Sequence, residues 1–245
     1  LGKNSFFVLI FTLSGYIYTS LLYNSKIMYL FTNGVKIGIL QYKIIALFII
    51  IFMFFFQLRI TDEFKDYEED LKYRAYRPVQ RGIVSLKTLG KIGIATVIIQ
   101  IMLAHVIDPE IIYFMIFVWI YMFLMAKEFF IKKWLTKRIL IYALSHVVIM
   151  IFITLVIVNA TQYILLDGTE NIFEFGVLQW NRHNIDFALI PLFTLNYLNG
   201  IVLEIGRKTR RTDEEEHGVQ TYSKLWGRKK AVIVLSLLFI IEYFF

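Results

Sequence analysis

Apolar residues fall along this chain in long unbroken blocks separated by polar stretches. The blocks cover about residues 5–23, 41–60, 86–107, 110–127, 138–160, 184–204 and 230–245. A helix crosses the hydrocarbon of a bilayer with roughly 20 apolar residues, and most of the blocks reach that length, the last being the shortest. Only helices and closed barrels satisfy every backbone group in hydrocarbon, and barrel strands would show as short alternating segments. The pattern predicts an all-α fold, a multi-pass transmembrane helical bundle of about seven helices forming one membrane-embedded domain over residues 1–245.

Composition supports this reading. Of 245 residues, 58% are hydrophobic and the mean hydropathy is +0.63, above what a soluble domain usually carries. Cysteine is absent, which excludes a disulfide framework and a thiolate metal site. The net charge of +7 does not call for nucleic acid, because the cations gather in three connections. These are Arg59 to Lys91, the segment with Lys127, Lys132, Lys133, Lys137 and Arg138, and Arg207 to Lys230. The connections at 24–40, 108–109 and 161–183 carry fewer. Counting helices puts the three basic connections on one face, and the positive-inside rule makes that face and the N-terminus cytoplasmic. Lys132 and Lys133 read as topology signals. The chain begins with Leu and ends at Phe245 inside an apolar block, so it is expected to be a piece of a longer protein, cut at both ends.

The stretch from Asp62 to Asp70 holds six carboxylates. Asp62, Asp66 and Asp70 share one helical face, with Glu63 and Glu69 close to it. Like charges at that spacing repel, so a compensating cation is expected. Mg²⁺ suits the oxygen ligands, since it uses few carboxylates and fills its shell with water and phosphate. Zinc does not: His105, His146, His183 and His217 are far apart in sequence and no HExxH exists. His105 and His146 read as structural. Downstream, Arg74, Arg77 and Arg81 match phosphate geometry. The set reads as a diphosphate site; the plainer reading is a solvated loop paired with itself.

These residues resemble the first motif of the UbiA superfamily of intramembrane prenyltransferases, Asn-Asp-x-x-Asp-x-x-x-Asp followed by Arg-Pro. Asp62 stands at the Asn, Glu63 at the first Asp, and Asp66, Asp70, Arg77-Pro78 and Gly82 match. The segment from Asn196 to Gly227 resembles the second motif at Glu204-Ile205, Gly218, Thr221 and Gly227. Its middle departs: Arg207 and Arg211 stand where aspartates are expected, and Asp213, Glu214, Glu215 and Glu216 come later. Either one of the later acids replaces a missing ligand, or Arg207, Lys208 and Arg211 neutralise the diphosphate in place of a second Mg²⁺. Glu215 and Glu216 read as a surface charge run. The family usually has nine helices, so two would be missing here.

The resemblance implies a polyprenyl diphosphate donor, Mg²⁺, a small acceptor that the sequence does not identify, and membrane lipid as surroundings. It implies an inner membrane of a bacterium or archaeon, with the motif loops cytoplasmic. Asp66, Asp70 and Glu204 would be catalytic metal ligands, with Asp62 and Glu63 assisting. Arg77 and Arg81 would hold phosphate, and Arg207, Lys208 and Arg211 would neutralise it. Asn196 and Asn199 would line the pocket or make hydrogen bonds between helices. Two alternatives remain: a phosphoribosyl-diphosphate:polyprenyl-phosphate transferase of the same fold, and a permease. A permease is disfavoured because its site would lie near the bilayer midplane.

Overall fold

The computed structural model describes residues 2–22, 37–166, 189–215 and 219–244. The connections at 24–40 and 161–183 fall partly or wholly outside these residues, as do His183, Glu216, His217 and Gly218.

Every regular element among the described residues is helical. Helix α1 is Gly2–Leu22, α2 is Ile37–Lys65, and the short α3, Tyr67–Tyr73, follows at once. Then come α4, Leu86–Ile107, and α5, Ile111–Ala126. A 3₁₀ turn, Glu128–Phe130, and the short α6, Lys132–Leu135, lead into α7, Ile139–Val147, and α8, Ile149–Leu166. Helix α9 is Leu189–Arg207, α10 is Tyr222–Trp226 and α11 is Arg228–Tyr243. Each apolar block is therefore helical over its described residues, but the block at 138–160 is two helices joined at Val148. Four segments are long and apolar enough to cross a membrane: Gln41–Lys65, Leu86–Ile107, Ile139–Leu165 and Leu189–Arg207. Phe6–Leu22 and Ile111–Ala126 are apolar but shorter.

Helix α8 is central, packed against α1, α2, α5 and α9, while α2 runs along α4. The core interlocks Leu47, Ile50 and Phe54 of α2 with Ile111, Met115 and Val118 of α5 and Ile153 and Ile157 of α8. Outward, Ile94, Ile98 and Met102 are exposed one helical turn apart on α4. An apolar face of this kind suits contact with lipid.

Between α2, α4 and α5 lies a buried polar knot. The Gln57 amide donates to Thr96 at 2.9 Å and to Gln100 at 2.7 Å. Gln100 donates to the Ile50 carbonyl at 2.9 Å, and the Trp119 indole donates to Gln57 at 3.2 Å. Burying amides is costly unless they are paired, and here they pair with one another.

Two local features position the charged segments. Helix α2 continues past its apolar stretch to Lys65, so Asp62, Glu63 and Lys65 ride on a rigid helical end. After Arg77-Pro78 the chain turns at Gly82, whose φ of +75° is a left-handed conformation that glycine adopts without a Cβ penalty. Ser85 then caps α4, its hydroxyl accepting from the Thr88 amide at 3.1 Å.

Candidate functional site

The first charged segment is largely paired within itself. Asp70 is buried and accepts from Arg77 and, at 3.2 Å, from Arg74. Glu63 meets Arg59 at 3.2 Å and Arg77 at 3.8 Å, while its other oxygen is buried without a hydrogen-bond partner. Asp70 and Arg77, expected to serve metal and phosphate separately, thus hold each other. Arg81 is exposed, one turn beyond Arg77. Asp62 and Asp66 remain, one turn apart, the Asp66 amide donating to the Asp62 carbonyl at 2.9 Å. Burial pushes the Asp66 carboxyl above its ordinary value, Lys65 opposes this, and the carboxylates of Asp62, Asp70 and Glu69 add to it. An ionised Asp66 is therefore short of positive charge in its surroundings.

At the end of α9, Glu204 accepts from Arg207 at 2.6 Å and meets Lys208 at 2.7 Å. Two cations face one carboxylate, so this patch keeps a net positive charge. Arg211 is exposed and pairs with Asp213 at 3.2 Å. Glu215, expected on a surface charge run, is built into the turn before α10. It accepts from Thr221 and Ser223 and lies 3.7 Å from Lys224. Thr221 of the second motif caps α10, accepting from the Lys224 amide at 3.2 Å. The Tyr222 amide donates to the Lys208 carbonyl at 2.9 Å, tying this segment to α9. Asn196 is buried and donates to Thr154 at 2.9 Å, the bond between helices that one reading expected; Asn199 donates to Leu195 of its own helix at 3.0 Å.

The two segments meet at Tyr142 of α7. Lys65 donates to the Tyr142 hydroxyl at 2.7 Å, and its ammonium lies 5.3 Å from the ring centre. Lys208 lies over the same ring at 5.2 Å. Arg207 is within electrostatic reach of both Asp62 and Tyr142. The Tyr142 ring stacks on His146 at 4.0 Å, and its hydroxyl donates to Glu128 at 3.3 Å. Glu128 is buried, 3.5 Å from Lys65 and 3.4 Å from His146. Burial alone would raise the Glu128 carboxyl, but the His146 and Lys65 contacts outweigh it and hold it below the usual carboxylate range.

Glu128 reaches this position through an unusual backbone. Glu128, Phe129 and Phe130 have φ of 50°, 53° and 60°. A left-handed residue other than glycine costs about 1–2 kcal/mol, and three in a row are strained. Packing repays part of that cost. The Phe129 ring meets Tyr121 at 5.6 Å and His146 at 5.7 Å, both edge-on.

The sequence thus placed the two charged segments but missed their meeting point: Lys65, Glu128, Tyr142 and His146. The available signal was an ionisable side chain beside or inside an apolar block, which is costly without a purpose. His146, expected to be structural, faces Glu128. The donor set also bears on Mg²⁺. Among the described residues no three acidic or histidine side chains converge as a metal cage. Asp62, in the last turn of α2, and Asp66, at the junction of α2 and α3, are two carboxylates within electrostatic reach of each other, and two suffice for Mg²⁺ when water and phosphate complete its shell. Comparison of this chain with known protein families, with curated proteins and with solved structures finds no match.

Proposed function

We propose that this chain is a membrane-embedded transferase acting on a diphosphate-bearing isoprenoid, a polyprenyl diphosphate, and passing its prenyl group to a small acceptor. The observation that carries this reading is the meeting of two distant charged segments at Tyr142, one ending α2 and one ending α9. The apolar flanks of the bundle suit a prenyl tail in lipid, and the surplus of cations around Glu204 suits a diphosphate headgroup. By the positive-inside rule the bundle is multi-pass, with these segments at the cytoplasmic side.

Asp62 and Asp66 would hold Mg²⁺, which supplies positive charge to the departing diphosphate. The chain's own groups do the rest. Lys65, Arg207 and Lys208 hold the headgroup. The C–O bond to the diphosphate breaks, its electron pair leaving with the diphosphate; positive charge develops on the allylic carbon, an electron pair of the acceptor forms the new bond to it, and the acceptor's proton passes to water. Preorganised cations favour that step because they meet charge as it forms.

The test is a transfer assay in membranes holding the protein, with radiolabelled geranylgeranyl diphosphate, Mg²⁺ and the lipid extract of those membranes. Release of diphosphate dependent on the protein, and lost in Asp66→Asn, is expected. Release that is the same with and without the protein rejects the reading.

A further inference from the structure

We propose that the connection between α5 and α7 is a docking surface for anionic phospholipid headgroups, formed by Lys132, Lys133, Lys137 and Arg138 around the exposed Trp134. The inference goes beyond the transfer reaction and needs only that the bundle stands in a bilayer.

The surface begins at the end of an apolar stripe. Ile116, Ile120 and Phe123 are exposed at helical spacing along α5. The exposed Phe130 ring meets Phe123 edge-on, with ring centres 6.3 Å apart. The left-handed turn thus serves two sides. Glu128 is buried toward Lys65 and His146, while Phe130 prolongs the stripe of α5. Ile131 and Trp134 follow, both exposed. Large apolar side chains grouped at the end of such a stripe suit the interfacial layer of a bilayer, where Trp is favoured.

Positive charge gathers at the same level. Residues 127–138 hold five cations, Lys127, Lys132, Lys133, Lys137 and Arg138, and one acid, Glu128. The cations are exposed and the acid is buried. Among the described residues none of the five pairs with a carboxylate; Glu128 faces Lys65 and His146 instead. The Arg138 guanidinium donates to the Trp134 carbonyl at 3.3 Å and lies 4.3 Å from the centre of its ring. A fork of donors that matches phosphate is thereby held beside an amphipathic ring. Leu135 is the buried residue of α6, so the short helix is moored by one side chain and turns its lysines outward. Lysine stems lie along apolar surface while their ammonium heads stay in water. Phosphate-bearing lipid fits both halves of this surface; a nucleic acid would leave Phe130 and Ile131 in water. A zwitterionic headgroup brings its own ammonium to its phosphate and an anionic one does not, so the uncompensated cations select the anionic lipid.

The experiment reads Trp134 in nanodiscs holding the purified full chain, in phosphatidylcholine with a minor share of phosphatidylglycerol. Bromine atoms, which quench tryptophan on contact, are placed on the acyl chains of the phosphatidylglycerol or on those of an equal amount of the phosphatidylcholine. The lipid composition is then the same in both arms. The share of Trp134 is the difference from Trp134→Phe, made in each background. Quenching of that share is expected to be roughly fivefold stronger from the anionic lipid, the enrichment that one cation near an anionic headgroup supports. Lys132→Gln/Lys133→Gln/Lys137→Gln should lose the preference, and Lys87→Gln/Lys91→Gln, on another basic connection, should keep it. Equal quenching by the two lipids, or none by either, overturns the proposal. A preference that survives in the triple variant, or vanishes in the double one, overturns it as well. The wild-type comparison needs no charge variant, so a triple variant that fails to fold leaves the test intact. Every one of these outcomes is independent of the transfer reading.

Discussion

Glu128 pays for its place with a left-handed backbone shared by two phenylalanines, and the sharing makes the strain measurable. Phe130 is 70% exposed, so little packing is lost when it is replaced. Asparagine accepts a left-handed backbone more readily than phenylalanine. Phe130→Asn should therefore raise thermal stability in detergent by about 1 kcal/mol, and an unchanged or lower melting temperature would contradict the strain. Acid should act on the same residue in the other direction. The Glu128 carboxyl is held below the usual range by His146 and Lys65. Its contribution is complete above the unfolded value of about 4.3 and is lost as pH falls through the lower folded value. Melting temperatures recorded from about pH 6 down to about pH 3 should thus fall more steeply in the wild type than in Glu128→Gln. At the metal-facing end, Asp66→Asn should lower Mg²⁺-dependent turnover on the order of 100-fold, the scale of removing one charge-stabilising group, while the protein stays folded. An acid beside an apolar block was the one signal at Glu128, and its position stayed hidden because nothing in Lys127-Glu128-Phe129-Phe130 announces a left-handed turn. Asp62 and Asp66 were singled out by helical spacing, but the spacing did not show that α2 ends at Lys65 and leaves Asp66 at the junction with α3.

At the scale of elements, the helices follow directly from hydropathy, and all seven apolar blocks are found. What hydropathy could not show is where a block breaks. Val148 is as apolar as its neighbours, yet α7 ends there and α8 begins. Val147 and Met150, on either side of the break, pack closely against α9. A Cβ built on Gly200 of α9 would come within 2.5 Å of Val147 Cγ1 and 2.9 Å of Met150 Cγ. The helices meet where only glycine fits, one turn before Glu204. Gly200→Ala should cost about 1–3 kcal/mol, as overpacking does. It should also weaken pyrophosphate binding by shifting Glu204 and Lys208 away from Tyr142. Calorimetry and thermal unfolding on the same preparation check both effects; a variant as stable as the wild type would mean that α9 moves without cost. The pairing of Asp70 with Arg77, and of Glu204 with its two cations, was equally hidden. A string of charges does not say which of its members will hold one another once the chain turns at Gly82.

For the molecule as a whole, the absence of cysteine makes orientation directly measurable. Single cysteines at Lys87, Lys133 and Arg228 should react with a membrane-impermeant thiol reagent from one side of sealed vesicles, and one at Pro109 from the other. Labelling of all four from the same side would refute the alternating arrangement. The charged ends of α2 and α9 would then not be held on one side of the membrane by an alternating arrangement. The knot of Gln57, Thr96, Gln100 and Trp119 matters at this scale too. Sliding α4 by a single turn along α2 would strand two carboxamides in an oily medium with nothing to greet them. These three rods therefore have one permitted alignment. The charged end of α2 is thereby levelled from below, like a table whose legs are cut to length before the top is laid.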